Sequence, residues 1–279
     1  MFNKPPRILA HKSVLKKGNY ATPEYIISEQ GLMNRHCPHR MYPIQDIGTH
    51  SNGDLLCNFH GFTWDKDGNP LNNDRRIKCG AATEGRSGLL FKNFTEPDHH
   101  WVDDLAKETN LEYSHCMQGT SKGSWLWMME IQADLLHIRR GEQAIHPWLS
   151  SIEELEEVKM EAGKDWIIQT CSTGWWLFIY PFTFVEWSPG CLAVNYTTPN
   201  DPDNEFGFSW VTQFYYDPTT TQERRQIFEK LEDVFLEDVT AIEKQKGKYF
   251  PILKPYNRLE DHCVHYGQWV KENLRKEND

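Results

Sequence analysis

The sequence predicts an α+β protein: a small antiparallel-β domain over residues 1–105, then an α+β domain over 106–279 with a central antiparallel sheet and a long C-terminal helix. Three observations lead there. Short apolar runs between frequent turn signals fill the first third. Aromatic and β-branched segments bounded by Gly, Pro, Asn and Asp fill the middle. One late stretch without Pro or Gly repeats apolar residues at helical spacing.

In the first domain, Tyr25-Ile26-Ile27, Leu55-Leu56 and Leu89-Leu90-Phe91 are the apolar runs. Asn52-Gly53-Asp54 and Asp67-Gly68-Asn69-Pro70 supply turn chemistry between them, the pattern of short antiparallel strands. The polar segment Glu96–Lys122 reads as a linker. Trp125–Ile138 is strongly apolar and predicts a helix, and Ile152–Met160 is a Glu-rich stretch expected to be solvated. Trp166–Ile168, Trp175–Phe184, Cys191–Tyr196 and Phe206–Tyr216 predict strands. From Thr221 to Lys246 apolar residues recur at Ile227, Leu231, Val234, Phe235, Val239 and Ile242, which predicts a long helix stopped by Gly247. His265–Leu274 predicts a short final helix, and no internal repeat is visible.

Composition narrows the function. Hydrophobic residues at 39 % and charged residues at 25 % describe a globular chain, not a disordered one. The net charge of −10 comes without any basic stripe, which argues against nucleic-acid binding. No run approaches the length of a membrane span, and Met1–Ser13 has neither an apolar export region nor a twin-arginine signal, so a cytoplasmic protein is expected. Thiols stay reduced there. The seven cysteines are therefore no disulfide framework, and Cys79, Cys116, Cys171, Cys191 and Cys263 read as isolated packing residues. The 11 Trp, 11 Tyr and 14 Phe suit an aromatic core, and also a pocket with aromatic walls, for which Trp175, Trp176, Phe182, Phe184 and Trp187 are candidates.

The strongest motif is Cys37-Pro38-His39, then seventeen residues, then Cys57-Asn58-Phe59-His60. Two thiolates and two imidazoles can hold one tetrahedral zinc, or a [2Fe–2S] cluster with the thiolates on one iron and the imidazoles on the other. The alternation of Cys and His in both halves favours the cluster, because each loop then gives one ligand to each iron; zinc fingers more often put two Cys in one half and two His in the other. The flanks point the same way. Cys37-Pro38-His39-Arg40, Cys57-Asn58-Phe59-His60-Gly61 and the following Trp64-Asp65-Lys66-Asp67-Gly68 resemble the cluster loops and adjoining hairpin of Rieske proteins.

The rest of the chain carries a second set of metal-type residues. Asp134 and His137 stand in an Asp-x-x-His pattern, His146 follows, and Glu237-Asp238 lie on the late helix. Two imidazoles and one carboxylate on one face make the facial triad of non-haem Fe(II) oxygenases, with positions left open for O₂. Cluster loops, then Asp-x-x-His, then a distal Asp is the order found in Rieske non-haem iron oxygenases, in their catalytic α-subunits. Trp125–His137, Phe178–Pro181, Thr197–Pro199 and the run from Glu237 to Gly247 are similar to that family's iron-binding helix, sheet and carboxylate helix.

The resemblance implies that Cys37, His39, Cys57 and His60 hold a Rieske cluster and that His137, His146 and Asp238 bind the mononuclear iron. It implies that Asp134 hydrogen-bonds an iron-bound His and links it to a cluster His of a neighbouring subunit. It further implies O₂ as co-substrate, NAD(P)H electrons delivered through a separate ferredoxin or flavin reductase, a small organic substrate that is hydroxylated or demethylated, and a head-to-tail homotrimer. One feature departs from the family. Its two His ligands usually have four residues between them, and this chain has eight. On a continuous helix that spacing would put the two rings on opposite sides, roughly 13 Å apart along the axis, so the helix must break, for instance at Gly141. Glu142, or a remote residue such as His115, remains the alternative second ligand. His99-His100 and His262/His265 read as linker and surface histidines. Two other readings stay open: a Rieske electron carrier without its own oxygenase activity, and a zinc-bound interaction module.

Overall fold

The computed structural model describes residues 7–17, 20–21, 25–28, 31–44, 46–47, 54–77, 79–80, 83–84, 89–92, 100–138, 145–146, 157–201 and 204–274. The chain divides into two units, Met1–His100 and Trp101–Asp279.

In the first unit the apolar runs become strands too short to stand alone, so they pair in small antiparallel sheets. β1 (Arg7–His11), β9 (Thr83–Glu84) and β10 (Leu89–Lys92) form one sheet; β2 (Tyr20–Ala21), β3 (Tyr25–Ser28), β4 (Gly31–Asn34) and β8 (Cys79–Gly80) a second; β5 (Asp46–Ile47), β6 (Leu55–Cys57) and β7 (Phe62–Trp64) a third. Ile26, Met33, Ile44, Leu55, Trp64 and Ile77 pack with Cys37 and Cys57 into one buried cluster. Asn52 and Gly53 of one expected turn lie outside the described residues.

The second unit is built on seven antiparallel strands in the order β11-β17-β16-β15-β14-β13-β12. They are β11 (Glu112–Ser124), β12 (Lys159–Ala162), β13 (Trp166–Cys171), β14 (Gly174–Ile179), β15 (Thr183–Ser188), β16 (Cys191–Pro199) and β17 (Phe206–Tyr216). The helices are α1 (His100–Glu108), α2 (Trp125–Ala133), α3 (Gln222–Lys244) and α4 (Asp261–Asn273). The expected class holds: a small β part, then a central antiparallel sheet with a long late helix.

Three expectations need correction. Glu96–Lys122 is not simply a linker, because it contributes α1 and most of β11. That strand is polar, and it is held by pairing with β17 from Glu112↔Tyr216 to Ser124↔Phe206, not by an apolar run. Trp175–Phe184 is two strands, β14 and the start of β15, turned by Tyr180 and a cis Pro181. His262 is not a surface residue; it is 4 % exposed on α4. Of Ile152–Met160, the described end is exposed and forms edge strand β12. Among the described residues no helix is long and apolar enough to cross a membrane.

Two helices cover the sheet face that matters for function. α2 is buried almost all round, including Trp125, Leu126, Met128, Met129 and Ile131. α3 is amphipathic, and its buried stripe runs through Phe228, Phe235, Asp238 and Ile242, spaced three to seven residues apart. Gly123 at the end of β11 lets α3 approach: a Cβ there would lie 2.6 Å from the Ile242 side chain.

α2 also buries a carboxyl. Glu130 is 5 % exposed and accepts the Tyr249 hydroxyl at 2.6 Å. Burial pushes its carboxyl up to about 8, against the Tyr249 hydrogen bond and with help from the Asp134 and Glu260 charges. The folded chain thus keeps a proton that the unfolded chain loses near the ordinary carboxyl pKa. Stability should fall as pH rises from about 4.5 toward about 8 and level off above. Glu130→Gln, which keeps an acceptor for Tyr249, is expected to remove that slope and to stabilise the protein by a few kcal/mol above pH 8, read from urea denaturation across pH.

Candidate metal centres

Two tight loops present the four residues of the first motif. In the loop after β4, the Cys37 amide donates to the Tyr42 carbonyl and the Met41 amide to the Cys37 carbonyl, each at 2.9 Å, which wraps the backbone around the thiol. In the loop after β6, the Gly61 amide donates to the Cys57 carbonyl at 2.9 Å. Gly61 has φ +69 with open space where a Cβ would sit, so its role is conformational. The hairpin that follows braces this loop. Asp65 accepts the amides of Asp67 and Asn69, and the Asn72 side chain accepts the Thr63 amide while donating to the Gly61 carbonyl.

This geometry brings the four side chains together. Cys37 and Cys57 are 1 % and 0 % exposed, both free thiols, and close enough to hydrogen-bond. His39 and His60 turn their Nδ1 atoms toward each other at 3.2 Å. Burial and the adjacent Cys57 hold the Cys37 thiol above its usual value. Two buried thiols side by side are poor as bare thiolates and suit a cationic metal centre, and the accompanying imidazole pair matches the donor set of a Rieske cluster.

The second set also converges. One ligating atom from each of His137, His146 and Asp238 lies within 4.8 Å of the others. α2 ends at Ala133, where Asp134 turns extended at φ −80, ψ 106, so His137 sits in the turn beyond the helix. The longer spacing is therefore no obstacle, since His137 and His146 do not share a helix. Gly141 and Glu142 lie outside the described residues. The other alternative, His115, is committed elsewhere: its Nε2 is 2.9 Å from Glu232 and its ring stacks on Phe214.

The hydrogen bonds set the tautomers. His137 Nδ1–H donates to the Asp134 carbonyl at 2.5 Å, which leaves Nε2 with its lone pair; that atom is buried and without a hydrogen-bond partner. It stands 3.4 Å from Asp238 Oδ1. His146 is 0 % exposed and lies between two carboxylates, with Nδ1 2.6 Å from Glu237 and Nε2 2.8 Å from Asp238. Burial opposes ionisation of Asp238, but the adjacent His137 and His146 imidazoles outweigh it and hold the carboxyl below its usual range. An orphaned imidazole nitrogen beside a buried carboxylate and a second imidazole fits a divalent metal. Asp134 lies next to this group, its carboxylate 3.9 Å from His137 Nδ1.

Sequence reasoning missed Glu237 as the partner of His146. The residue was visible beside Asp238, but only the packing of α3 shows which of its acids face inward. The signal available was the apolar stripe of α3, on which Asp238 is the carboxylate that falls in register.

An apolar pocket adjoins the triad. It is about 710 Å³ including its open mouth, and its lining includes Asp134, His137 and Asp238 together with Leu231, Val234 and Phe235 of α3. Of the expected wall residues, Trp176 and Phe184 line it. Trp175 and Trp187 stack on each other across the opposite sheet face, and Phe182 packs in the core.

Residues 27–80 match the family model of the Rieske [2Fe-2S] domain, so the first unit contains a Rieske domain. Solved structures extend the likeness along the chain. The quaternary ammonium Rieske monooxygenase CntA, in complex with γ-butyrobetaine, is 17 % identical with a TM-score of 0.56, and the match covers 97 % of this chain and 88 % of that one. Pseudomonas putida CBB5 NdmA with caffeine is 17 % identical with a TM-score of 0.64, over 96 % and 89 %. The chain thus has the fold of Rieske monooxygenases over nearly its whole length. No curated protein sequence matches it.

Proposed function

We propose that this chain is the catalytic subunit of a Rieske oxygenase that uses O₂, and electrons from a separate NAD(P)H-dependent reductase, to hydroxylate or demethylate a small organic substrate. The observation that carries the reading is the convergence of His137, His146 and Asp238 beside an apolar pocket, in a chain that also pairs Cys37 and Cys57 with His39 and His60. When bound, a Rieske cluster supplies single electrons and a mononuclear Fe(II) supplies O₂ activation.

The protein's own residues prepare these sites. His137 and His146 present Nε2, and Asp238 gives a carboxylate already ionised by its hydrogen bonds. Glu237 holds the His146 Nδ1 proton and so fixes the tautomer that can ligate. Leu231, Val234 and Phe235 keep water from the reacting carbon. The family resemblance supports a homotrimer in which Asp134 of one subunit links its iron-bound histidine to a cluster histidine of the next. It also supports a ferredoxin or flavin reductase as electron donor, in the cytoplasm. CntA acts on quaternary ammonium compounds and NdmA was solved with caffeine, which supports a small nitrogenous substrate.

Anaerobic metal analysis with EPR tests the reading. About three irons per chain are expected, with a Rieske signal and a high-spin Fe(II) signal that responds to substrate. About two irons would leave an electron carrier, and a colourless zinc protein would end the proposal. Glu237→Ala should weaken retention of the mononuclear iron against a chelator by about 10–100-fold and leave the cluster spectrum unchanged.

A further inference from the structure

The pocket has a polar end that the metal triad does not use. Gln169 on β13, Trp176 on β14 and Glu186 on β15 are directly opposed in register, so they form one row across three neighbouring strands on the face beneath α2. Gln132 of α2 joins the same lining.

The amide orientations in this row are fixed from behind. Gln169 is fully buried, and its Nε2–H donates to the Ala133 carbonyl at 3.1 Å. A carbonyl can only accept, so Gln169 must turn Oε1 the other way, and that buried oxygen has no hydrogen-bond partner. Gln132 repeats the arrangement: its Nε2–H donates to Asn195 at 3.4 Å and its Oε1 is buried without a partner. Asn195 is itself tied to Thr197 and Thr212. Glu186 stands beside the Trp176 indole, and burial holds its carboxyl above the usual range.

The chemistry of the row is one-sided. Acceptors on Gln132, Gln169 and Glu186 surround an aromatic face, one N–H of each glutamine amide is used within the protein, and no Lys or Arg lines the pocket among the described residues. Buried acceptors left unpaired are costly, and a ligand that brings donors recovers that cost. An indole face favours a cation, and a cation bound beside Glu186 would draw its buried carboxyl into the ionised form.

We infer that Gln132, Gln169, Trp176 and Glu186 form the substrate-recognition end of the pocket and that its substrate is an amine in ammonium form carrying at least one N–H. This rests on the oxygenase reading for the word substrate, whereas the binding site itself does not. A quaternary ammonium would sit on the indole face beside Glu186 but leave the two amide oxygens unpaired.

The test is calorimetric titration of the iron-loaded protein without O₂, using benzyldimethylammonium, which has one N–H, and benzyltrimethylammonium, which has none. The first should bind at least about tenfold more tightly; Glu186→Gln should weaken both probes, and the preference should shrink in Gln132→Leu. Equal affinities, no binding of either probe, or a preference unchanged in Gln132→Leu would overturn the proposal; should the variants fail to fold, the wild-type comparison decides. Iron counting and EPR on the same sample judge the oxygenase reading separately, since loss of that reading would show as a missing third iron and not as a change in probe preference.

Discussion

His146→Ala is expected to abolish turnover and to lower iron from about three to about two per chain, with the Rieske EPR signal unchanged. The expectation follows from the position of the ring. His146 is fully buried, its Nε2 meets Asp238 at 2.8 Å, and its ring stands edge-on to His137 with centroids 5.3 Å apart. With the imidazole gone, a divalent metal has one nitrogen and one carboxylate, too few to hold it against exchange. The variant also leaves Asp238 buried with half its partners, a loss that can cost about 3–5 kcal/mol of stability. His146→Gln, which can still donate to Asp238, separates the two effects: it should fold better than the alanine variant and be equally inactive. A His146→Ala protein with its iron and its rate intact would show that the second nitrogen comes from elsewhere.

Asp134→Asn should do the opposite, keeping all metals and losing rate. The backbone carbonyl of Asp134, not its carboxylate, takes the His137 Nδ1–H, and Oδ1 accepts the Leu136 amide at 2.8 Å. Asparagine preserves both bonds. What it removes is the ionisable carboxylate 3.9 Å from His137, which is also held above its ordinary range by burial, against the attraction of His137. If that group links the cluster to the iron between subunits, single-turnover oxidation of the pre-reduced cluster, started with O₂ and substrate, should slow by about 10–100-fold at unchanged iron content. A wild-type rate would assign Asp134 to capping α2 and nothing more.

The two metal-type groups differ in how far they could be read from residues alone. Cys37, His39, Cys57 and His60 sit in two short loops where Pro38 and Gly61 mark the turns, and the ligand pattern is complete within 24 positions. Local chemistry specified it. His137, His146 and Asp238 were named from the resemblance to the oxygenase family, not from local chemistry. The distance from His137 to His146 in sequence carries no period, and what unites the two rings is the end of α2 at Asp134 and a separate return of the chain. β11 was misread for a related reason. Glu112–Ser124 has too few apolar residues to announce a strand, and its stability comes from hydrogen bonds to β17.

By itself the sequence determined what depends on near neighbours: the paired Cys and His loops, the turns that shape them, the strand-rich middle and the long amphipathic helix. Tertiary structure alone decided what depends on distant segments meeting. It set Glu237 on His146, turned the free oxygens of Gln132 and Gln169 into one pocket with Glu186, and placed Trp175 and Trp187 on the other face. The physical reason is that turn and helix preferences act over a few residues, whereas the direction of a buried side chain is fixed by the elements packed against it.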